Sequence, residues 1–500
     1  MRRLPPWSED PPFRKVLIAN RGEIAVRVAR TAKEMGIKVV AIYSDADRYS
    51  LHVLVADEKV YIGPSEPTES YLNIEGIVKA AKEVGAEAVH PGYGFLAQNP
   101  KFVEALEEEG IVFVGPPAKI QRLVGHKLDA RRFFKSAGVP IVPGTLEPVR
   151  VDDAVDVAES IGYPVMVKPA GGGGGIGMSV AWDEKQLAKA LKRAEELSAS
   201  AFGVSEVYLE RYFPRARHIE VQILGDHHGN VIHLFERECS VQRRFQKVVE
   251  ETPSPALTEE EAERVASYAV KAAKAVGYVN AGTFEFLFDP DAREFYLLEV
   301  NSRIQVEHPI TEAVTGVDIV RQQFLIAAGE EIEFSQNEVE RRGHAFEARV
   351  YAEDPAAGFV PSPGRIERLR EPSGPWIRVD SGVYEGWEVP PYYDPLLMKV
   401  IAWGRDREEA RKRMLRALWE TVIEGVKTNL AFLQVVFQDE AFIKGDYTTR
   451  FVEERRILDR LKDFSPSHAE LPPRRRAEER ARPPAPRVDS WKLISRIEKL

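Results

Sequence analysis

Cysteine is nearly absent from this chain. Its single thiol, Cys239, excludes an intrachain disulfide and fits a reducing compartment, so a cytoplasmic protein is expected. No apolar run approaches the length of a bilayer span, and no membrane segment is expected. The opening MRRLPPWSEDPPF has basic residues but lacks the apolar core of a secretion signal, so residues 1–12 read as a disordered leader. An excess of positive charge is missing too. Against 78 acidic residues stand 69 basic ones, a formal net charge of −9 that argues against broad nucleic-acid binding. His227, His228 and His233 lack zinc-type spacing and read as surface imidazoles. Internal repeats are lacking as well.

What is present is enough chain, 500 residues, for two or three domains with real cores. Apolar runs at 15–19, 37–43, 86–90 and 111–114 read as strands, with helical periodicity at 23–35, 73–84 and 99–109. That alternation predicts an α/β domain with a mostly parallel sheet. Gly115-Pro116-Pro117 stops it, and helical linker segments follow to about 138. A small unit at 139–212 is predicted to hold strands at 164–168, 178–181 and 205–211 and helices at 151–160 and 183–199. From 213 to about 460 the pattern is richer in alternating strands, interrupted by helices at 258–276 and 309–328, with a last strand at 396–402 and helix at 406–423. Residues 463–489 are rich in proline and arginine and read as disordered. The final SWKLISRIEKL regains an amphipathic pattern and is a candidate docking helix, too short to be stable alone.

Two stretches carry most of the chemistry. VMVKPAGGGGGIGM, at 165–178, puts Lys168 at the end of an apolar strand ahead of five glycines. Free backbone N–H groups and unrestricted dihedrals make Gly172, Gly173, Gly174 and Gly175 suited to wrapping phosphates. No Gly-Lys-Ser/Thr closes the run, so it is not the phosphate loop of many ATPases. LLEVNSRIQVEHP, at 297–309, sets Glu299, Asn301, Arg303, Gln305 and Glu307 at alternate positions, which share one face if extended. Two carboxylates and an arginine on one face do not make a hydrophobic core. Glu285 and Glu299 lie on strands joined by a short turn, hence hairpin neighbours, and with Asn301 they supply hard oxygen ligands suited to magnesium on phosphates.

Other residues read two ways. Lys127 opens a helical segment and is either a solvated lysine or a second cation over the phosphates. The backbone of Glu210-Arg211-Tyr212-Phe213 is an ordinary linker, or a hinge that could hydrogen-bond an adenine with Phe213 against its face. His218, Glu220 and Gln222 alternate opposite Ile219, Val221 and Ile223, the pattern of a half-buried strand whose polar face could line a cleft. CSVQRRFQKVVEE, at 239–251, is a solvated charge run or a small-anion pocket built on Gln242, Arg243, Arg244 and Lys247. Cys239 reads as buried and inert, with no base beside it in sequence. Glu307 could be a base at the cleft mouth, with Arg303 holding an anion for it. Arg349 is a structural ion pair or part of the same cleft. Together these residues suggest a nucleotide-dependent ligase that manages metal, phosphate and a small anion.

At these residues the chain resembles the biotin carboxylase family of ATP-grasp ligases, from about Lys15 to about Glu454. The resemblance rests on NRGEIA, HPGYGFL, KPAGGGGGIGM, RHIEVQ, ERECSVQRRFQKVVE, EVNSRIQVEHP, SPGRI and PYYDPL, in that order. It implies a mixed α/β and α+β architecture, an ATP-grasp fold with an N-terminal Rossmann-like parallel-sheet domain, a small lid and a C-terminal domain. The boundaries expected are 13–125, 126–212 for linker helices and lid, 213–345 for the catalytic domain, 346–462 for the C-terminal domain and 463–500 for the tail.

The resemblance further implies phosphate contacts for Lys127 and Lys168, and adenine contacts for 210–213. His218 and Gln242 would line the nucleotide site. Glu285 and Glu299 would hold magnesium or manganese, with Asn301 beside them. Lys247 and Arg303 would bind bicarbonate, helped by Gln305 and the backbone of Val306. Glu307 would be the base, Arg349 would stabilise the biotin enolate, and Tyr93 would pack near biotin. No Met-Lys-Met attachment segment is present, so biotin is expected on a separate carrier protein, the biotin carboxyl carrier protein. A homodimer is also implied, with a carboxyltransferase subunit, within an acetyl-CoA, propionyl-CoA, pyruvate or related carboxylase. Ile176, Phe245 and Gln98 depart from residues common in relatives.

Three rival readings stand beside this one. Another ATP-grasp ligase, such as a purine-pathway carboxylase or a carbamoyl phosphate synthase, is the main alternative. A non-enzymatic protein would have lost the carboxylate pair, which is intact. A NAD-dependent dehydrogenase fails on 20–25, where one glycine stands in place of a fingerprint.

Overall fold

The computed structural model describes residues 11–169, 178–202, 206–462 and 464, all within one compact unit, Met1–His468. Most of the expected leader, the glycine run 171–175 with Ile176, and the tail with its candidate docking helix lie outside the described residues.

The apolar runs of the first part form a five-stranded, all-parallel sheet. Its strands are β1 (Lys15–Ile18), β2 (Lys38–Ser44), β3 (Glu58–Gly63), β4 (Ala88–His90) and β5 (Val112–Phe113), in the order β3-β2-β1-β4-β5. The helix Gly22–Glu34 buries Ile24, Ala25, Val28, Ala29 and Ala32 and stops before Gly36, whose φ of 80° continues no right-handed helix. β3 was not predicted. It is an edge strand whose charged and polar side chains face water, which hides the apolar signal but protects the edge.

The small unit is an antiparallel sheet of β6 (Val165–Pro169), β7 (Ser179–Ala181) and β8 (Val207–Arg211), in the order β7-β6-β8, backed by the helices Ala154–Ile161 and Glu184–Phe202. Val165, Val167, Leu187, Leu191 and Leu209 form its core.

The site lies on an eight-stranded antiparallel sheet. It contains β9 (Arg217–Gly225), β10 (Val231–Arg243), β11 (Gln246–Thr252), β12 (Asn280–Asp289), β13 (Glu294–Asn301) and β14 (His344–Tyr351). The order is β13-β12-β9-β10-β11-β14, continued by the strands Leu396–Gly404 and Ile377–Ser381. The expected boundary at 345–346 falls inside β14, so this sheet runs on through it. The helix Glu259–Val276 covers Ile219, Val221, Phe284 and Phe286. Farther along, the helices Arg407–Glu420 and Leu430–Phe437 pack on Val249, Phe346, Ala348 and Val400.

Two helical expectations are corrected. The helix predicted over 309–328 is two, His308–Thr315 and Ile319–Ala327. Gly316, with φ 75°, caps the first, and the Asp318 side chain caps the second at the Arg321 N–H. Leu430–Phe437 went unpredicted because LAFLQVVF is apolar all round and buried, with no period to read. Among the described residues no helix is long and apolar enough to cross a membrane.

Close backbone approach decides where glycine is needed. A Cβ at Gly225 would lie 2.1 Å from the Tyr278 carbonyl oxygen, whereas one at Gly277, a helix cap with φ 63°, meets nothing within 4 Å. Gly225→Ala is therefore expected to cost about 3 kcal/mol or more, and Gly277→Ala about 1 kcal/mol from backbone strain alone. Denaturant unfolding checks the pair, and equal losses would contradict the steric account.

Candidate active site

Strand register assembles the centre. Arg237 on β10 is paired with Glu220 on β9, Glu220 with Glu285 on β12, and Glu285 with Glu299 on β13. Three carboxylates thus stand side by side across adjacent strands, an arrangement that repels unless cations enter it. Two do. Arg237, fully buried, donates to Glu220 Oε1 at 2.5 Å, and also to Gln222, Thr283 and Thr311. Lys247 Nζ lies 2.5 Å from Glu220 Oε2, 2.8 Å from Glu285 Oε1 and 2.8 Å from Glu307 Oε1. The β10–β11 ladder that carries Lys247 is broken by register shifts around Val241, a bulge beside the site.

The expectation of one extended face from Glu299 to Glu307 is overturned. β13 ends at Asn301. A continued strand would carry Glu307 roughly 20 Å onward. Instead the chain turns back before the helix His308–Thr315, returning Gln305 and Glu307 to the same centre. Gln305 Nε2 donates to Glu285 Oε1 at 2.9 Å, and Asn301 Nδ2 donates to the same oxygen at 2.8 Å. Arg303 donates to Gln305, Asn301 and, at 2.7 Å, Gln98. Gln98 therefore holds Arg303. Phe245 is 49 % exposed at the hairpin tip.

Arg349 on β14 reaches Glu307 Oε2 at 2.9 Å and Glu250 Oε1 at 2.5 Å. Lys399, fully buried, donates to the Val306 carbonyl at 2.9 Å and lies 3.2 Å from Glu23, which also accepts from the Tyr93 hydroxyl. Tyr93 is thereby tied to this side of the cleft. Gln242 Nε2 lies 3.1 Å from His218 Nδ1, and His218 Nε2 lies 3.1 Å from Glu285 Oε2. Of the three surface histidines expected, His227 and His228 are exposed, while His233 is half-buried on β10.

The residues expected on the nucleotide side converge separately. Lys127, at the start of the helix Lys127–Ser136, is bonded to Glu299, and Lys168 and Arg131 both pair with Glu210. Lys127, Arg131, Ile141, Tyr208, Leu297 and Glu299 line one cavity. At the hinge, the Arg211 N–H donates to Pro143 and the Tyr212 N–H to Pro164. Those two donors are engaged within the protein. Phe213 stacks on Tyr296 with centroids 5.2 Å apart, so one of its faces is covered.

Burial opposes ionisation of Glu307, yet Lys247, Arg349 and Arg237 hold its carboxyl well below the usual range. Glu285 behaves alike: burial raises it, but Lys247 and His218 bring it below its ordinary value. Lys127 lowers Glu299. Burial pushes the Cys239 thiol well up, and its sulfur lies 3.9 Å from Glu307 Oε1, in keeping with an inert cysteine. Glu285 and Glu299, both favoured as anions and directly opposed, with Asn301 beside them, are a hard-oxygen set that fits magnesium or manganese.

Sequence reading missed Arg237 and Lys399, though each had a signal. Arg237 is the one cation amid the acids of FERE, and Lys399 is the lone charge in LLMKVIAWG, where an unpaired ammonium would be costly.

A small sheet carrying a lysine over an antiparallel sheet lined with carboxylates and cations defines an ATP-grasp enzyme. Residues 12–120 match the family described as "Biotin carboxylase, N-terminal domain", residues 126–335 "Carbamoyl-phosphate synthase L chain, ATP binding domain", and residues 347–454 "Biotin carboxylase C-terminal domain". The chain is 51 % identical over 449 residues to a pyruvate carboxylase subunit of Methanothermobacter thermautotrophicus, covering 89 % of this chain and 91 % of that one. It is 50 % identical over 447 residues to biotin carboxylase 1 of Bacillus subtilis, covering 89 % and 99 %. A crystal structure of the biotin carboxylase domain dimer of Hydrogenobacter thermophilus 2-oxoglutarate carboxylase, with MgADP, ADP and bicarbonate, matches with a TM-score of 0.87 at 48 % identity, over 89 % of this chain and 98 % of that one. The chain belongs to the biotin carboxylase family.

Removing Lys247 tests the charge balance. Lys247→Met strands three carboxylates and is expected to cost roughly 3–5 kcal/mol at neutral pH. Glu285 and Glu307 have depressed values in the folded state, so their contribution is present above the ordinary carboxylate value and lost as pH falls from there through the depressed folded values. The variant's deficit should therefore shrink as pH falls below about 4.5, the ordinary carboxylate value. Denaturant unfolding above and below that pH is the measurement, and a deficit independent of pH would contradict the assignment.

Proposed function

We propose that this enzyme carboxylates biotin on a separate carrier protein, using ATP and bicarbonate and releasing ADP and phosphate. The observation that carries the reading is Glu307, held between Lys247 and Arg349, whose charges favour its anion. An ionised carboxylate can take the bicarbonate proton. Lys247 and Arg303 would hold the anion, helped by Gln305 and the backbone of Val306. The deprotonated oxygen attacks the γ-phosphorus, ADP leaves, and carboxyphosphate forms. This breaks down to carbon dioxide and phosphate. That phosphate takes the biotin ureido proton, and the nitrogen attacks carbon dioxide. Arg349 would stabilise the enolate oxygen formed meanwhile, with Tyr93 packed beside the ring.

Lys127 and Lys168, with the backbone of Gly172 to Gly175, would hold the phosphates. His218 and Gln242 would line the nucleotide site, and Glu210, Arg211 and Phe213 would border the adenine. Glu285, Glu299 and Asn301 would hold magnesium or manganese, which offsets phosphate charge when bound. The acceptor is left to a carboxyltransferase partner, so the reading ends at carboxybiotin. A homodimer is proposed from the Hydrogenobacter thermophilus domain dimer.

Phosphate release measured with and without bicarbonate and free biotin tests this. Release should require bicarbonate and rise with biotin, and bicarbonate-independent release would defeat the reaction class. Glu299→Ala should lower kcat by about 10²-fold or more, with Glu285→Ala milder. Near-normal turnover of Glu299→Ala at saturating magnesium would remove it from the metal set.

A further inference from the structure

Two buried acids beside this site are used by no step above. Glu250 on β11 and Glu347 on β14 are direct register partners. Both are 0 % exposed, and none of their four carboxyl oxygens has a hydrogen-bond partner. The one close approach is ionic: Arg349 Nη2 lies 2.5 Å from Glu250 Oε1, without the geometry of a hydrogen bond. The same nitrogen lies 2.9 Å from Glu307 Oε2. One guanidinium thus faces two carboxyl groups, of which the reaction needs only Glu307 as an anion.

Beyond the shared Arg349, the surrounding cations are already committed to other acids. Lys247 and Cys239 face the pair from the β10–β11 hairpin, Glu307 from the loop, Arg349 and Tyr351 from β14, and Lys399 from the next strand. Lys247 is already shared by Glu220, Glu285 and Glu307. Lys399 is shared by Glu23 at 3.2 Å, Asp380 at 3.8 Å and the Val306 carbonyl at 2.9 Å. A buried carboxylate without hydrogen bonds is costly, and two on adjoining strands add like-charge repulsion. A proton shared between them removes the like-charge repulsion and gives the remaining carboxylate a donor, because a neutral carboxyl can donate its O–H to the other.

We propose that Glu250 and Glu347 share at least one proton and act as a positioning pair for Arg349, leaving its charge to Glu307 and to the biotin ureido oxygen. The proposal rests on the role read for Arg349 above. Burial pushes Glu250 up to about 7 and Glu347 well above the carboxylate range, which agrees with the geometry. The sign follows. Acids with folded values above their ordinary ones keep their protons through the acid range and ionise as pH rises, so the pair still holds a proton at neutral pH on Glu347. Ionisation sets a second anion against Arg349, and rate and stability then fall together.

The test is the pH profile of kcat for carboxylation of free biotin by the full chain, wild type against Glu347→Gln and Glu250→Gln. Infrared spectra of the same proteins accompany it. Glu347→Gln should keep kcat at neutral pH within about threefold and leave the KM for ATP and bicarbonate unchanged. Its alkaline fall in kcat should move up by about one pH unit or more. The wild type should show a protonated-carboxyl band at neutral pH that is missing from Glu347→Gln. Coincident alkaline limbs, or spectra with no such difference, overturn the proposal. Should Glu347→Gln fail to fold, Glu250→Gln and the wild-type infrared titration carry the test by the same criteria. Absence of biotin stimulation at every pH would instead defeat the functional reading, while the infrared difference still decides whether the pair holds a proton.

Discussion

A single ammonium inside three carboxylates is the constraint on which this structure depends. Lys247 touches Glu220, Glu285 and Glu307, which come from β9, β12 and the loop after β13. Strand register alone would place Glu220, Glu285 and Glu299 in a repelling row. Arg237 at one end, Lys127 at the other and Lys247 above turn that row into a balanced network. Buried charges persist only when so matched, and removing one member strands the rest. The same network reaches Arg349 through Glu307. A backbone step from Glu307 to Val306 leads to Lys399, Glu23 and Tyr93, so the first α/β layer is joined to the sheet by charge as well as by packing.

Such pairing has a functional side. Lys127 rests on Glu299, Lys168 on Glu210, and both Lys247 and Arg349 on Glu307. These are the cations that the proposed reaction would use on phosphate, bicarbonate and biotin. Each is held in position by a carboxylate before any anion arrives, so little side-chain entropy remains to be lost on binding. The arrangement also explains why an acid pair can lie behind Arg349. A guanidinium beside Glu307 and two further full anions would have little charge left for substrate, whereas a proton shared by the pair removes one of those charges.

Much of the fold was legible in the sequence, and the exceptions have identifiable causes. The runs KVLI, KVVAIYS and AVH announced a parallel sheet because strands buried on both faces are apolar throughout. The edge strand EKVYIG escaped notice because half of it faces water. The helix Leu430–Phe437 escaped because its residues are almost all apolar, leaving no polar period to read. In the site, the pairing of Glu285 with Glu299 was readable from two strands and a short turn. The return of Glu307 was not, since alternate spacing looks the same whether the chain runs straight or folds back.

The sequence by itself determined which residue types were available and where local structure would form. It set charged residues within apolar strands, a glycine run behind a strand lysine, and motifs whose order identifies the family. These are local properties, carried by side-chain alternation, turn chemistry and composition. Only the tertiary structure decided that Lys247 would meet three carboxylates from three segments, that Gln98 would hold Arg303, and that Glu250 would stand opposite Glu347 with no cation to spare. Those outcomes depend on strand order and register between distant segments, and on a charge balance in a low-dielectric interior that no single segment can satisfy.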